Sequence, residues 1–274
     1  MVTAVWGWTF VLVKDAISHY ATLPFLALRF GLALIVMVAL VRRLPDRRTL
    51  KVGALIGLAL TVGYLLQTVG LQYTSPGNAG LITGLFVVFT PILERLFGRP
   101  VAFRTVVAVA VALLGTALLA GGGGGVGFGD LLMVGCALAF ALHIVLLSHW
   151  APGLAPAPLA MVQMATASVL FSFGSVTDFQ LPTGSVWFAI AVTGVLASAF
   201  GFLVQTWAQA HLSASRTALV LASEPAWALI FAVLLAGQRF GPIQAAGAAL
   251  VLAAIFGHEL ASLNLKLRDG NYQA

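Results

Sequence analysis

Residues 63–68 read Gly-Tyr-Leu-Leu-Gln-Thr, and residues 201–206 read Gly-Phe-Leu-Val-Gln-Thr, 138 positions later. Two pairs of prolines recur 134 positions apart, namely Pro24 with Pro158 and Pro91 with Pro225. The two spacings differ by four residues, which is about one turn of α-helix. Self-similarity of this kind indicates an internal repeat, so the sequence predicts two related halves of similar length.

The chain around this repeat is too apolar for a water-soluble domain. Of its 274 residues, 61% are hydrophobic and 8% are charged, against about 25% charged in soluble domains. Four segments contain no Asp, Glu, Lys or Arg: 52–93, 105–129, 131–177 and 179–215. A bilayer core needs about 20 apolar residues per helix, so each segment holds one or two spans. A soluble globular protein, a disordered chain and a nucleic-acid-binding domain are excluded, and so is a β-barrel, whose strands alternate apolar and polar residues.

Turn-forming clusters divide the chain into ten predicted transmembrane helices. They lie near 3–18, 23–42, 50–72, 76–97, 102–120, 128–149, 157–177, 184–206, 216–236 and 241–261. Because each half has five helices, an odd number, the second half enters the membrane from the opposite side. The predicted fold class is therefore an all-α integral membrane protein with ten transmembrane helices, built as two inverted five-helix repeats around a central cavity. Inverted repeats are typical of secondary transporters, which bind their solute near the midplane.

The predicted division of the chain has four parts. They are a first repeat over 1–120, a glycine-rich linker over 121–129, a second repeat over 130–262 and a cytoplasmic tail over 263–274. No Gly-Lys-Ser/Thr follows the glycine run, which separates it from a phosphate-binding loop.

Positive charges predict the orientation, because loops rich in Lys and Arg stay in the cytoplasm. With a cytoplasmic N-terminus, 11 of the 14 lysines and arginines lie on the inner side: Arg42, Arg43, Arg47, Arg48, Lys51, Arg95, Arg99, Arg104, Arg216, Lys266 and Arg268. We therefore expect a multi-pass protein of the bacterial inner (plasma) membrane with both termini in the cytoplasm. The basic charge balance reflects this topology and predicts no nucleic-acid partner.

Several motifs carry a family resemblance. They are Trp6-Gly7-Trp8 with Lys14, Leu28-Arg29-Phe30, the run LQTVGLQYTSPGNAG over 66–80, and Ser223-Glu224-Pro225 with Gly237-Gln238-Arg239. Together they resemble the EamA-type branch of the drug/metabolite transporter (DMT) superfamily over nearly the whole chain. The resemblance implies ten helices, cytoplasmic termini and a central cavity lined by both halves, and bacterial members include exporters of amino acids and other small metabolites. One departure is Gln238, where the family usually has Glu.

Two glutamines are the first candidates for solute binding. Gln67 and Gln205 occupy matching positions in the two halves, and a side-chain amide in hydrocarbon is costly unless it is hydrogen-bonded. Related by the pseudo-two-fold axis, they would face one cavity, with Tyr64 and Thr68 on the same helix face as Gln67. The alternative is that the amides join helices by interhelical hydrogen bonds.

The second half contributes one acid deep in a predicted helix. Glu224 is a candidate for proton coupling or for binding a cationic group, and a structural role stays open. The neighbouring Pro225 and its counterpart Pro91 remove backbone hydrogen bonds, so they are candidate hinges or permanent bends. Arg29 lies about six residues into the second predicted helix, and we expect it to anchor that helix near the outer interface.

Further candidates for the cavity wall carry alternative structural roles. His143 lies mid-helix and is either a hydrogen-bonded core residue or a substrate or proton site. Trp8 and Trp207 are candidates to stack on a solute or simply pack. Asn78 either caps the fourth helix or contacts solute, and Thr83 either satisfies freed backbone groups or lines the path.

These features predict a secondary transporter that exports small organic solutes, with amino acids or related metabolites favoured, by alternating access. The alternative is a proton-coupled exporter of drugs and lipophilic cations that uses Glu224. The sequence contains no paired intramembrane aspartates, no His-Glu-x-x-His and no Gly-x-Ser-x-Gly, so we expect no enzymatic activity. We also expect no cofactor and no metal, a monomer, and only the lipid bilayer and a small-molecule substrate as partners.

Overall fold

The computed structural model describes residues 1–98, 103–121, 126–175, 179–211 and 221–268, which form helices and no strands. The α-helices are α1 (Val2–His19), α2 (Thr22–Leu40), α3 (Arg47–Tyr73), α4 (Pro76–Thr83), α5 (Phe86–Leu93), α6 (Phe103–Gly121), α7 (Phe128–Trp150), α8 (Pro156–Gly174), α9 (Gly184–Ala191), α10 (Gly201–His211), α11 (Glu224–Leu234) and α12 (Pro242–Arg268). Part of the predicted linker (122–125), the end of the predicted tail, Arg99 and Arg216 lie outside the described residues.

Two predicted helices are each built from several helical segments. The fourth contains α4, α5 and a 3₁₀ turn, Glu94–Phe97. The eighth runs from α9 through a π-helical segment, Val192–Phe200, into α10 and ends five residues later than predicted. Because π-helical segments are rare and often occur at functional sites, the eighth helix is of particular interest.

Six helical stretches are long and apolar enough to cross a membrane: Thr22–Leu40, Arg47–Tyr73, Pro76–Leu93, Phe128–Trp150, Pro156–Gly174 and Gly184–His211. Shorter apolar helices follow in Val106–Leu119, Glu224–Leu234 and Pro242–Gly257. Many large apolar side chains are exposed along them, including Ile35, Leu58 and Val169. An exposed apolar surface of this extent suits lipid rather than water, so the chain is a multi-pass membrane protein.

The helices pack in a consistent set of pairs. α3 contacts α7 and α8, α2 contacts α8 and the π-helical segment, α1 and α4 contact α11, α5 contacts α7, and α6 contacts α12. The last pair crosses at two glycines, where an added Cβ on Gly247 would lie 2.6 Å from the Gly115 carbonyl oxygen. Small residues allow such close approach between membrane helices.

The two prolines of the predicted hinges lie in different helical surroundings. The fourth helix is interrupted at Gly84 and Leu85, and Pro91 lies six residues after Leu85, inside α5. Pro225 occupies the first turn of α11, since that helix begins at Glu224, and proline is tolerated there because its missing N–H has no intrahelical acceptor. Glu224 therefore lies at the start of α11, after two turn residues that follow the helical Leu221, and the roles of Pro91 and Pro225 as hinges or permanent bends stay predictions.

Arg29 also differs from its expected place. Its side chain is 1% exposed, so it lies between helices and does not reach the membrane interface as an anchor. A charged side chain that is shielded from water is energetically costly. The residues that surround the Arg29 guanidinium are therefore important for the functional site.

The close crossing of α6 and α12 generates a stability prediction. We expect Gly247→Ala to destabilise the protein by roughly 1–3 kcal/mol, because the added methyl group overpacks against the Gly115 backbone. Gly257→Ala, in the same helix, meets no atom within 4 Å and serves as the control. Thermal unfolding in detergent measures both, and equal midpoints for the two variants would contradict the close crossing.

Candidate functional site

A cavity lies where α1, α3, α5, α7, α10 and α11 meet. It is lined by Trp6, Thr9, Phe10, Tyr64, Gln67, Phe86, Phe140, His143, Ile144, Phe202, Gln205, Leu221 and Glu224. The cavity, with its open side included, has an empty volume of about 440 Å³. The centre of a water molecule fits within about 40 Å³ of that volume. This is room for about three waters, so a larger solute requires lining side chains to move.

Aromatic rings form most of the cavity wall. The Phe202 ring centroid lies 5.4 Å from Trp6, 5.9 Å from Tyr64 and 5.7 Å from His143. The indole Nε1 of Trp6 donates to the Ala197 carbonyl oxygen at 2.8 Å. Ala197 belongs to the π-helical segment, which therefore fixes one ring of the wall.

The two matched glutamines both line the cavity, but their hydrogen bonding differs. Gln205 Nε2 donates to Gln209 Oε1 at 2.9 Å, and Gln209 in turn donates to the Ile144 carbonyl and to Ser148 Oγ. The Gln67 side chain has no hydrogen-bond partner in the described part of the chain. The Gln205 amide is therefore oriented by Gln209 on the same helix, whereas the Gln67 amide is available to bind a solute.

Glu224 contributes a carboxyl group to the same cavity. It is buried, and within the described ranges its side chain forms no hydrogen bond or ion pair. Its position in the first turn of α11 places it near the positive end of the helix dipole, which favours a negative charge. A cationic group of a solute would find its complement here.

His143 joins the cavity to a buried hydrogen-bond chain. Its Nε2 lies 2.8 Å from Gln163 Oε1, which requires the Nε2–H form to donate to that oxygen. Gln163 Nε2 then donates to Thr206 Oγ1 at 3.4 Å and to the Leu159 carbonyl. The histidine is thus both a hydrogen-bonded residue of the helix interface and part of the cavity wall.

Three smaller predicted residues lie outside the cavity wall. Thr68 is fully buried with its hydroxyl unpartnered, and the Thr83 hydroxyl faces the sulfur atoms of Met133 and Cys136. Asn78 donates its backbone N–H to Ser75 Oγ, so Ser75 rather than Asn78 caps α4. None of the three is among the residues that line this cavity, so a contact with solute stays a prediction for each.

The two predicted tryptophans also lie elsewhere. Trp8 meets the edge of Phe188 at 6.4 Å between ring centroids. Trp207 is 53% exposed and packs against His211 on the outer surface of α10. The tryptophan of the wall is Trp6, two positions before Trp8 and therefore on a different helix face.

Eight lining residues were not predicted: Trp6, Thr9, Phe10, Phe86, Phe140, Ile144, Phe202 and Leu221. The repeat carries a signal for one of them, since Phe202 matches Tyr64 at the same 138-residue spacing as the glutamines. Phe140 and Ile144 lie on either side of His143, where the sequence is otherwise apolar from Leu131 to Leu147, and their side chains do not stand out from their apolar neighbours.

The fold and the cavity define a multi-pass membrane protein with a small cavity, lined by aromatic and polar side chains, between its helices. The EamA-like transporter family model matches residues 1–121 and again residues 127–258. The chain therefore belongs to the EamA-like transporter family, within the DMT superfamily, and the resemblance inferred from its motifs is confirmed. It is a transporter of that family.

Relatives cover most of the chain. An uncharacterized transporter of Archaeoglobus fulgidus is 33% identical over 93% of this chain and 82% of its own length. The uncharacterized transporter YyaM of Bacillus subtilis is 28% identical over 91% of this chain and 88% of its own. A protein of known crystal structure has the same fold, with a TM-score of 0.69 and 20% identity over 96% of both chains.

The asymmetry of the two glutamines generates a prediction. We expect Gln67→Ala and Gln205→Ala to raise the KM for transport several-fold with near-normal folded yield, since each removes a hydrogen bond worth about 1 kcal/mol. Flux of labelled amino acids in reconstituted vesicles measures the effect. Gln180→Ala, on the exposed surface, is the control, and loss of folded yield in both cavity variants would instead identify the amides as structural.

Proposed function

We propose that this transporter exports amino acids or related zwitterionic metabolites across the bacterial inner membrane by alternating access. The single observation that carries this proposal is the composition of the cavity. It combines an amide, Gln67, and a carboxyl group, Glu224, both without a hydrogen-bond partner among the described residues, with an aromatic wall. Such a site offers hydrogen bonds and one negative charge to a small polar head and apolar contacts to a side chain.

We propose ten spans in two inverted repeats, over 1–120 and 130–262, joined by a linker over 121–129 and followed by a cytoplasmic tail over 263–274. Two observations support this. The family model matches the chain twice. The contacts between helices also follow the repeat. If each predicted helix is replaced by its counterpart in the other half, the first and ninth helices become the sixth and fourth, so the contact of α1 with α11 corresponds to the contact of α7 with α5. The contact of α6 with α12 corresponds to itself.

The proposed topology places both termini in the cytoplasm of a monomeric protein. Under this topology, hydrogen bonds link helices at the outer end. Lys14 Nζ donates to the Leu71 carbonyl at 2.6 Å, and Gln238 donates to Ser75 Oγ at 2.8 Å and accepts from the Gly77 N–H. The outer end is then closed, and these bonds break when the cavity opens outward.

The second candidate function is proton-coupled export of drugs or lipophilic cations. Glu224 supports it, because a lone carboxyl group beside aromatic rings attracts an organic cation. The two candidates differ in what they require of the carboxyl group. An amino-acid facilitator uses it to bind an ammonium group, whereas an antiporter uses it to exchange a proton for the drug.

A flux assay tests the proposal. Purified protein reconstituted into vesicles loaded with labelled amino acids should show saturable flux and counterflow. The contrary result is no flux of any amino acid while a lipophilic cation moves against a pH gradient, and it would favour the second candidate.

The role of Glu224 is tested by Glu224→Gln, which keeps the shape of the side chain and removes its charge. If Glu224 couples protons, pH-driven flux is abolished while solute exchange continues, because exchange requires no net proton movement. Asp15→Asn, on an exposed acid at the end of α1, is the control. An unchanged pH dependence in the Glu224 variant would remove the coupling role.

A further inference from the structure

Arg29 is a buried cation that the sequence-based site does not include. It lies in α2, within an apolar stretch that is long enough to cross a membrane, and its side chain is 1% exposed. A charged side chain at membrane depth costs several kcal/mol unless it is paired or faces water. Its retention between helices therefore calls for a compensating group.

The described residues compensate Arg29 only in part. Its Nε donates to Ser198 Oγ at 2.9 Å, and its guanidinium carbon lies 4.4 Å from the Tyr64 ring centroid and 5.5 Å from that of Phe30. These are cation–π distances. Among the described residues, no hydrogen-bond partner lies within reach of the buried Nη2 nitrogen. A guanidinium has five N–H donors, and no carboxylate in the described part of the chain pairs with it, which leaves capacity for an anion.

Tyr64 places this cation beside the cavity. The same ring that covers the guanidinium also lines the cavity together with Gln67 and Glu224. The guanidinium is thus separated from the cavity by one aromatic side chain. Ser198 lies in the π-helical segment, which also supplies the carbonyl that holds Trp6, so Arg29 and the cavity wall share one support.

We propose that Arg29 is the anion subsite of the transport cavity and binds the carboxylate of the solute, reached when the Tyr64 ring moves aside. This deepens the proposed function and rests on it. A solute with an ammonium group at Glu224 and a carboxylate at Arg29 neutralises both buried charges. Charge-assisted hydrogen bonds from a guanidinium suit a planar carboxylate. The solute class is then an amino acid with both of its charged groups free.

Three compounds that each contain one phenyl ring test the binding of the ammonium group and of the carboxylate separately. L-phenylalanine carries both groups, phenethylamine lacks the carboxylate and 3-phenylpropionate lacks the amine. The ring suits the aromatic wall of the cavity. Binding of each compound to the purified full chain is measured by isothermal titration calorimetry, with wild-type protein, Arg29→Met, Arg29→Lys and the exposed control Arg239→Met.

We expect Arg29→Met to weaken binding of L-phenylalanine and 3-phenylpropionate by at least about tenfold, the loss expected for one charge-assisted hydrogen bond. The affinity of Arg29→Met for phenethylamine should differ from that of wild type by less than about twofold. Arg29→Lys should retain part of the wild-type affinity for the two carboxylates, and Arg239→Met should bind all three compounds as wild type does. Equal weakening of all three compounds would overturn the proposal, because it would mean that Arg29 only positions Tyr64. Unchanged binding in Arg29→Met, or no binding of either carboxylate by wild type, would also overturn it.

If Arg29→Met does not fold, binding of the same compounds to wild-type protein still tests the proposal. Phenethylamine that binds as tightly as L-phenylalanine overturns the proposal, and phenethylamine that binds at least about tenfold more weakly supports it. Failure of the proposed function has a different signature. Vesicles would then show no amino-acid flux while binding of 3-phenylpropionate still depends on Arg29.

Discussion

The absence of water from the bilayer core governs this structure, because every polar group inside it needs a protein partner or a cavity. Several buried hydroxyl groups meet this condition within their own helix. Thr61 donates to the Gly57 carbonyl and Thr193 to the Ala189 carbonyl. Several unpaired polar groups lie in or beside the cavity. Within the described residues, Gln67 and Glu224 line the cavity without hydrogen-bond partners, and Arg29 lies behind its wall with one nitrogen unpaired. Thr68, Asn78 and Arg104 also each have one buried atom without a partner in that part of the chain.

These exceptions give the two halves different tasks in spite of their related sequences. Gln205 is held by Gln209, whereas its counterpart Gln67 is unconstrained. The π-helical segment has no counterpart in the helical assignment of α3; it holds Trp6 and Arg29 through Ala197 and Ser198. Under the proposed repeat, a symmetric scaffold carries an asymmetric site, which suits the asymmetric solute that we propose.

The sequence predicted the helical membrane fold, the family and five of the lining residues: Tyr64, Gln67, His143, Gln205 and Glu224. It did so where a polar residue stands out in an apolar run or where the two halves repeat. It failed where the lining side chain is one apolar residue among many, as at Phe140, and where two neighbouring tryptophans lie on different faces of the same helix. The burial of Arg29 was also missed, because side-chain length permits both an interfacial and an interior position.

The central claim is that solute binds in this cavity and reaches it from each side in turn. The buried Cys136 is the chain's only cysteine, so Cys136→Ser gives a background into which Gln67→Cys introduces one reactive thiol in the cavity. Labelling by a membrane-impermeant thiol reagent is then measured from each side of the membrane. The account predicts labelling from both sides and protection by the transported solute. Labelling from one side only, or labelling that the solute does not change, would contradict it.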